Sequence, residues 1–266
     1  MTAAGYVTDV AYVPGFYPQM SPVAMRYVAT LNGIIPPRTA DGFRFLEVGC
    51  GLGRCLTTLA AARERLAPGG LLLVSYNAMP GWAHLQPIRG ILRQYAALRT
   101  GDSGQRVRDA VAYLVFMRDK YAKYFEDNPR AAAYVDALVQ QDPRYLVHEY
   151  MNEHWTSFYF AEVAGAFGQE GLSFVGSLPV HTNFWDLCVR PEFQELFRTT
   201  TSRLVAEAHK DFCANTAFRW DIYAKSPRGL KDVNDRLREV NDLHFRVVRL
   251  ASRCPIRRTW ESSPRR

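Results

Sequence analysis

One stretch limits the fold more than any other: Phe43-Arg44-Phe45-Leu46-Glu47-Val48-Gly49-Cys50-Gly51-Leu52-Gly53-Arg54. A short apolar run ends beside an acidic residue, three glycines follow at alternate positions, and a helical pattern begins. This is the pattern of a strand entering a glycine-rich turn beneath a helix N-terminus. Glycines allow a sharp bend and a close approach of backbone to a ligand, and the helix-start N–H groups can face that ligand. The spacing is G-x-G-x-G. A dinucleotide fingerprint, G-x-G-x-x-G, would need glycine at Arg54 and gives Glu47 no role. The plain alternative is a strand–turn–helix whose glycines serve only tight packing.

With 266 residues, 48% of them hydrophobic, the chain can bury a substantial core as one large domain or two small ones. The five cysteines (50, 55, 188, 213, 254) are scattered and form no C-x-x-C pair, so a reduced, cytoplasmic protein is expected. Met1 to Val13 has neither a cationic start nor an apolar stretch, so no signal peptide is expected. No apolar run suits a bilayer. The net charge of +7 invites a nucleic-acid reading, but all of it lies in Lys225–Arg266, and residues 1–224 are balanced. A basic tail can bind phosphate backbones, yet it is more often simply solvated, so a nucleic-acid partner is not expected.

Residues 1–42 read as a Tyr- and Pro-rich leader with a helix over 22–31. The helix after the glycines is expected over 55–66, stopped by Ala67-Pro68-Gly69-Gly70. Leu71 to Tyr76 is fully apolar, which predicts a central strand covered on both faces. Apolar spacing predicts three helices between 86 and 150, the last started by Asn128-Pro129. A helix capped by Thr156 or Ser157 should run to Phe167, and Gly171–Gly176 should form a strand; this order resembles the late helix and sixth strand of a methyltransferase sheet, which implies a place beside Leu71–Tyr76. Pro191 to Ala208 reads as one helix that buries Phe193, Leu196 and Phe197. The alternation in Phe218–Ala224 predicts a half-buried strand. Val233 to Leu250 suits helix or strand, and the Arg- and Pro-rich end suits disorder. His148-Glu149 and Glu153-His154 suggest a metal, but the histidines are six apart and not at H-E-x-x-H spacing, so no metal is expected.

The glycine stretch resembles the first motif of class I S-adenosylmethionine (SAM)-dependent methyltransferases. Pro68-Gly69-Gly70 and its strand resemble the approach to that family's fifth strand. The intervening strands two to four are absent, a deficit on the order of two units at about 30 residues each. The resemblance implies an α/β fold with an abbreviated Rossmann-like parallel sheet and SAM as cofactor, held by Glu47, Gly49, Cys50, Gly51, Gly53 and Tyr17. No acid stands about 20 residues beyond the glycines, where the ribose carboxylate would be expected by analogy with the dinucleotide rule.

From Asn128 to Lys225 the chain is similar to the methyltransferase regulatory domain. Asp127-Asn128-Pro129, His148-Glu149-Tyr150, Asn152-Glu153-His154-Trp155, Phe160-Ala161-Glu162, Asp211-Phe212, Phe218-Arg219, Asp221 and Tyr223 carry the likeness. Proteins with this pairing include bacterial protein-lysine methyltransferases. The expected domains are an abbreviated SAM domain with its arm over 1–85, a mainly helical regulatory domain over 86–226, and a basic segment over 227–266. The resemblance implies methyl transfer to a nucleophile, a protein lysine among the candidates. Tyr76 and Asn77 are then candidates at the strand end, His148 as a proton acceptor, and Tyr12 and Tyr17 along the methyl channel. The incomplete pocket keeps a second reading open, a non-catalytic remnant serving regulation or protein interaction. An exposed sheet edge would also suit a homo-oligomer.

Overall fold

The structure is a computed structural model describing residues 2–3, 6–11, 20–39, 47–49, 62–241 and 243, with the side chains of 2, 3 and 47–49 left aside. Thr2–Ala3 (β1) and Tyr6–Val7 (β2) form a small antiparallel ribbon. Pro22–Leu31 (α1) follows the expected bounds: Ser21 caps it by accepting from the Ala24 N–H, and Pro22 opens its first turn. Glu47–Gly49 (β3) is the strand that leads into the glycines, and Leu71–Asn77 (β4) is the apolar strand. Within the intervening segment, residues 62–65 are helical.

A run of helices comes next: Gln86–Ala97 (α2), Ser103–Asp119 (α3), Lys123–Asp127 (α4), Pro129–Val139 (α5) and Pro143–Leu146 (α6). Asp102 caps α3 by accepting from the Gln105 N–H at 2.7 Å. Asn128 precedes α5 but does not cap it. Its amide turns back to the Tyr124 carbonyl. Val147–Met151 forms a π turn. Their apolar faces build one core from Ile88, Leu92, Val107, Leu114, Val135, Leu138 and Tyr150.

Phe160–Gln169 (α7) starts later than expected. Neither Thr156 nor Ser157 caps it: Glu162 accepts from the Tyr159 N–H, and Ser157 accepts from Gln86. Leu172–Leu178 (β5) leads to a 3-10 turn at Val180–Asn183 and to Trp185–Cys188 (α8). The single helix expected over 191–208 is broken. Pro191–Phe193 is a 3-10 turn, Gln194–Thr199 (α9) is short, and Arg203–Ala214 (α10) restarts with Ser202 as cap. The break turns Phe193 and Leu196 to solvent, and only Phe197 is buried. Phe218–Lys225 (β6) and Val233–Asn241 (α11) complete the described elements.

The four-stranded sheet has the order β3-β4-β6-β5. Its α/β class is as expected, with β3 parallel to β4, but β6 runs antiparallel between β4 and β5. Contrary to expectation, the strand at 172–178 does not lie beside Leu71–Tyr76, because β6 lies between them. β4 is buried on both faces. Leu72, Val74 and Tyr76 meet Val163, Phe167 and Tyr223 on one side, while Leu73 meets Met25, Val28 and Ile222 on the other. Gly176 shows how closely α1 is applied, since a Cβ there would come within 2.6 Å of Asn32 Nδ2.

The alternation in β6 was misleading. Arg219 and Asp221 point inward, and both are buried along with Tyr223. They join a network that replaces an apolar face, which is why a polar-alternating strand is covered on both sides.

Candidate functional site

The parallel register sets Gly49 opposite Ser75, so the ends of β3 and β4 reach the same edge of the sheet. In α/β sheets the crevice outside the C-terminal strand ends is where ligands bind. The glycines that would complete this crevice, Gly51 and Gly53, lie outside the described residues, as do Cys50, Tyr12 and Tyr17. The backbones of Glu47 and Gly49 stand in β3 as expected.

At the end of β4, successive residues part company. The Tyr76 hydroxyl donates to Asp221 Oδ2 at 2.6 Å, inside the buried network. Burial, followed by the Asp221 charge, pushes its pKa well above the ordinary tyrosine range. This phenol keeps its proton and braces the sheet from within. Asn77 points the other way and donates to Glu149 Oε1 at 2.7 Å. Glu149 is carried by the π turn, a wide turn that is rare and frequent at functional sites.

The same turn anchors the N-terminal arm. Asn152 Oδ1 accepts from the Val7 N–H at 3.1 Å, and Tyr6 stacks on His148 at 5.5 Å. His148 Nε2 lies 2.9 Å from the Val10 carbonyl. A carbonyl oxygen can only accept, so Nε2 carries the proton and donates it. His148 thus holds the arm through its donor nitrogen, and in the neutral ring the accepting lone pair lies on Nδ1. Asp9 adds a third clamp by accepting from both the Ser103 N–H and hydroxyl. The Ser103 N–H also holds the Asp9 carboxyl below the usual range.

Beyond Glu149, Arg89 donates to the Asn152 carbonyl and lies over the Trp155 ring at 4.8 Å. Trp155 in turn packs against Trp82 at 4.8 Å. Burial, with Arg93 nearby and Glu149 partly opposing, lowers the Arg89 pKa to about 10. The Arg89 Nε–H and the Trp155 Nε1–H are both buried and make no hydrogen bond among the described residues. Two adjacent buried donors without an acceptor suit a carboxylate. Neither residue was singled out as a candidate from the sequence. Only the cluster in space identifies them.

Behind Tyr76 lies a second polar assembly centred on Arg219. It bonds Asp221 at 2.9 Å, Asp211 at 2.6 Å, and Glu207 and Ser177 at 2.9 Å each. Burial opposes its charge, and the carboxylates around it hold its pKa well above the usual value. No group of three or more His, Cys, Asp or Glu that would hold a metal occurs among the described residues. No helix there is long and apolar enough to cross a membrane.

Comparison with known proteins agrees with this architecture. Residues 142–225 match the family model described as the predicted methyltransferase regulatory domain. PKMT2 from Rickettsia typhi, solved in complex with AdoHcy, superposes with a TM-score of 0.62 at 17% identity, over 81% of this chain and 55% of that one. A second structure of PKMT2 gives 0.64, also at 17% identity, over 85% and 57%. The uncharacterized protein sll1526 of Synechocystis is 24% identical over 317 residues, covering 92% of this chain and 62% of its own length. The uncharacterized protein RP789 of Rickettsia prowazekii is 23% identical over 161 residues, covering 59% of this chain and 28% of its own. The chain spans less than two thirds of these relatives. In fold it is methyltransferase-like.

Proposed function

We propose that the chain binds SAM at the edge formed by β3 and β4 and transfers its methyl group to a nucleophile, with a protein lysine as the acceptor. The observation that carries this reading is the parallel pairing of β3 with β4. It brings the start of the glycine motif to the edge where Asn77 and Glu149 meet. That PKMT2 was solved with AdoHcy supports the cofactor class.

The described residues fit such a cofactor at one end. Arg89 Nε–H and Trp155 Nε1–H suit the carboxylate of its amino-acid part, while Glu47, Gly49, Cys50, Gly51, Gly53 and Tyr17 would form the other wall. When bound, SAM supplies a methyl group already activated on a sulfonium, so the protein's work is positioning and exclusion of water. A lysine acceptor must shed a proton, and Glu149 is the carboxylate fixed at the strand end by Asn77. His148 and Asn152 hold the arm that leads to Tyr12 and Tyr17.

A second reading, a regulatory or protein-interaction module that does not catalyse, draws on β3. Among the described residues this strand has no neighbour on its outer side. The ribose and adenine side would lie there. Calorimetric titration separates the two readings. Micromolar binding of SAM or AdoHcy supports the cofactor site, and no heat at millimolar concentration overturns it. Transfer of labelled methyl to a lysine-bearing protein then distinguishes an enzyme from a module that only binds.

A further inference from the structure

The Arg219 assembly borders a cavity of about 270 Å³ enclosed by the end of β5, the 180–183 turn, α8, α10 and the start of β6. The cavity has two chemistries. Leu187 and Phe218, both exposed, form its apolar rim, and Asp211, Arg219 and Lys210 lie deeper.

The hydrogen bonds of those deep groups fall short at one atom. Arg219 spends its nitrogens on Asp221, Asp211, Ser177 and Glu207. Lys210 bonds Glu207 at 2.7 Å and the Thr182 carbonyl. Asp221 receives Tyr76 and Ser177, each at 2.6 Å. Asp211 Oδ1 accepts from Arg219, but Asp211 Oδ2 is buried without a hydrogen bond among the described residues. The Thr216 side chain favours the charged carboxylate but completes no hydrogen bond of good geometry to Oδ2. Glu207, Asp211 and Asp221 face Lys210 and Arg219, and the Arg203 guanidinium acts on Glu207 and Asp221 as well, so the shortfall is one donor, at Asp211 Oδ2. A buried carboxylate oxygen left in this way is costly.

We propose that this cavity binds a primary ammonium group carried on an alkyl chain, with the ammonium on Asp211 Oδ2 and the chain between Leu187 and Phe218. An anion would be repelled by the Asp211 carboxylate. A neutral apolar molecule would leave Oδ2 unpaired. An alkylammonium supplies the missing donor as a charge-assisted hydrogen bond to the carboxylate and lays its chain on the apolar rim. A free alkylamine and the lysine side chain of a partner protein share this chemistry. The site stands on β5, β6 and α10, so it does not depend on the cofactor reading.

The test uses the full chain and calorimetric titration with n-butylammonium chloride, n-butanol, and a short acetylated peptide containing one lysine. The proposal expects n-butylammonium to bind at least tenfold more tightly than n-butanol, and Asp211→Asn to lose at least tenfold. Leu187 is 66% exposed, so Leu187→Arg obstructs the rim without disturbing the core, and it should lose binding likewise. Equal binding of the alcohol and the ammonium overturns the proposal, as does unchanged affinity in a folded Asp211→Asn chain. If Asp211→Asn does not fold, unchanged affinity in Leu187→Arg overturns it instead. Tighter binding of the peptide than of n-butylammonium supports the site and assigns it to a protein lysine, and the reverse order supports it as a site for free amines.

Discussion

Tyr76 and Asn77 are neighbours on β4, yet they enter opposite kinds of polar surroundings. Tyr76 closes onto the Arg219 assembly, where nearly every donor and acceptor is matched and the side chains are almost fully buried. Asn77 opens onto the Glu149–Arg89–Trp155 cluster, where two buried donors have no acceptor among the described residues. A matched interior network braces a sheet, and an unmatched one at a strand end leaves donors for a ligand to take. The remainder differs in sign as well. The strand-end cluster is short of an acceptor, and the Arg219 assembly is short of a donor at Asp211.

Arg219→Met should separate the two regions most sharply. It strands Asp211, Asp221 and Glu207 in the interior, and breaking such a network costs about 3–5 kcal/mol. Urea unfolding should show this loss. A loss below about 1 kcal/mol would mean that the assembly does not brace the sheet.

The next effect lies in the pH dependence of stability. Burial, only partly offset by Arg219, raises the Asp211 pKa from 3.8 to about 6. The native state then keeps this proton at pH values where the unfolded chain has lost it. Stability from this carboxyl is full below about pH 4, falls as pH rises toward 6, and is level above that. Glu207 works in the opposite sense: burial raises its pKa, but Lys210 and then Arg219 outweigh that and hold it lowered. The difference between wild type and Asp211→Asn isolates the Asp211 part, which should be no more than about 3 kcal/mol across that window. Parallel stability curves from pH 4 to 7 would contradict it.

Asn77→Ala should matter least to folding. It removes one partly buried hydrogen bond, worth about 1 kcal/mol, so melting should shift by a few degrees only. A collapse of the fold would make Asn77 a structural residue like Tyr76 and dissolve the contrast.

Much of the frame was readable from residue order. Pro22–Leu31 and the apolar strand at 71–77 announce themselves through a cap, a proline and an unbroken Leu/Val run. The partners of β6 did not. Its alternation of Arg219 and Asp221 with Trp220 and Ile222 reads as one wet face, because nothing local says that Asp211, Glu207 and Ser177 will arrive to cover it. The break near Thr200 escaped for a related reason. Helical spacing continues through 191–208, and it takes Ser202 as a new cap, with its side chain on the Val205 N–H, to restart the helix. At the strand end, Asn77 stood out by its position after an apolar strand. Arg89 and Trp155 are 66 residues apart in sequence, and only the fold of α2 against the π turn brings them together.

The central claim, that unmatched donors mark the cofactor's place, rests on Arg89. AdoHcy and 5′-methylthioadenosine should therefore be titrated in parallel against wild type and Arg89→Met, since only AdoHcy carries the amino-acid carboxylate. The account predicts at least a tenfold loss of AdoHcy affinity in the variant, about 1.4 kcal/mol, with methylthioadenosine binding unchanged. Equal losses for both ligands, or no loss for either, would contradict it.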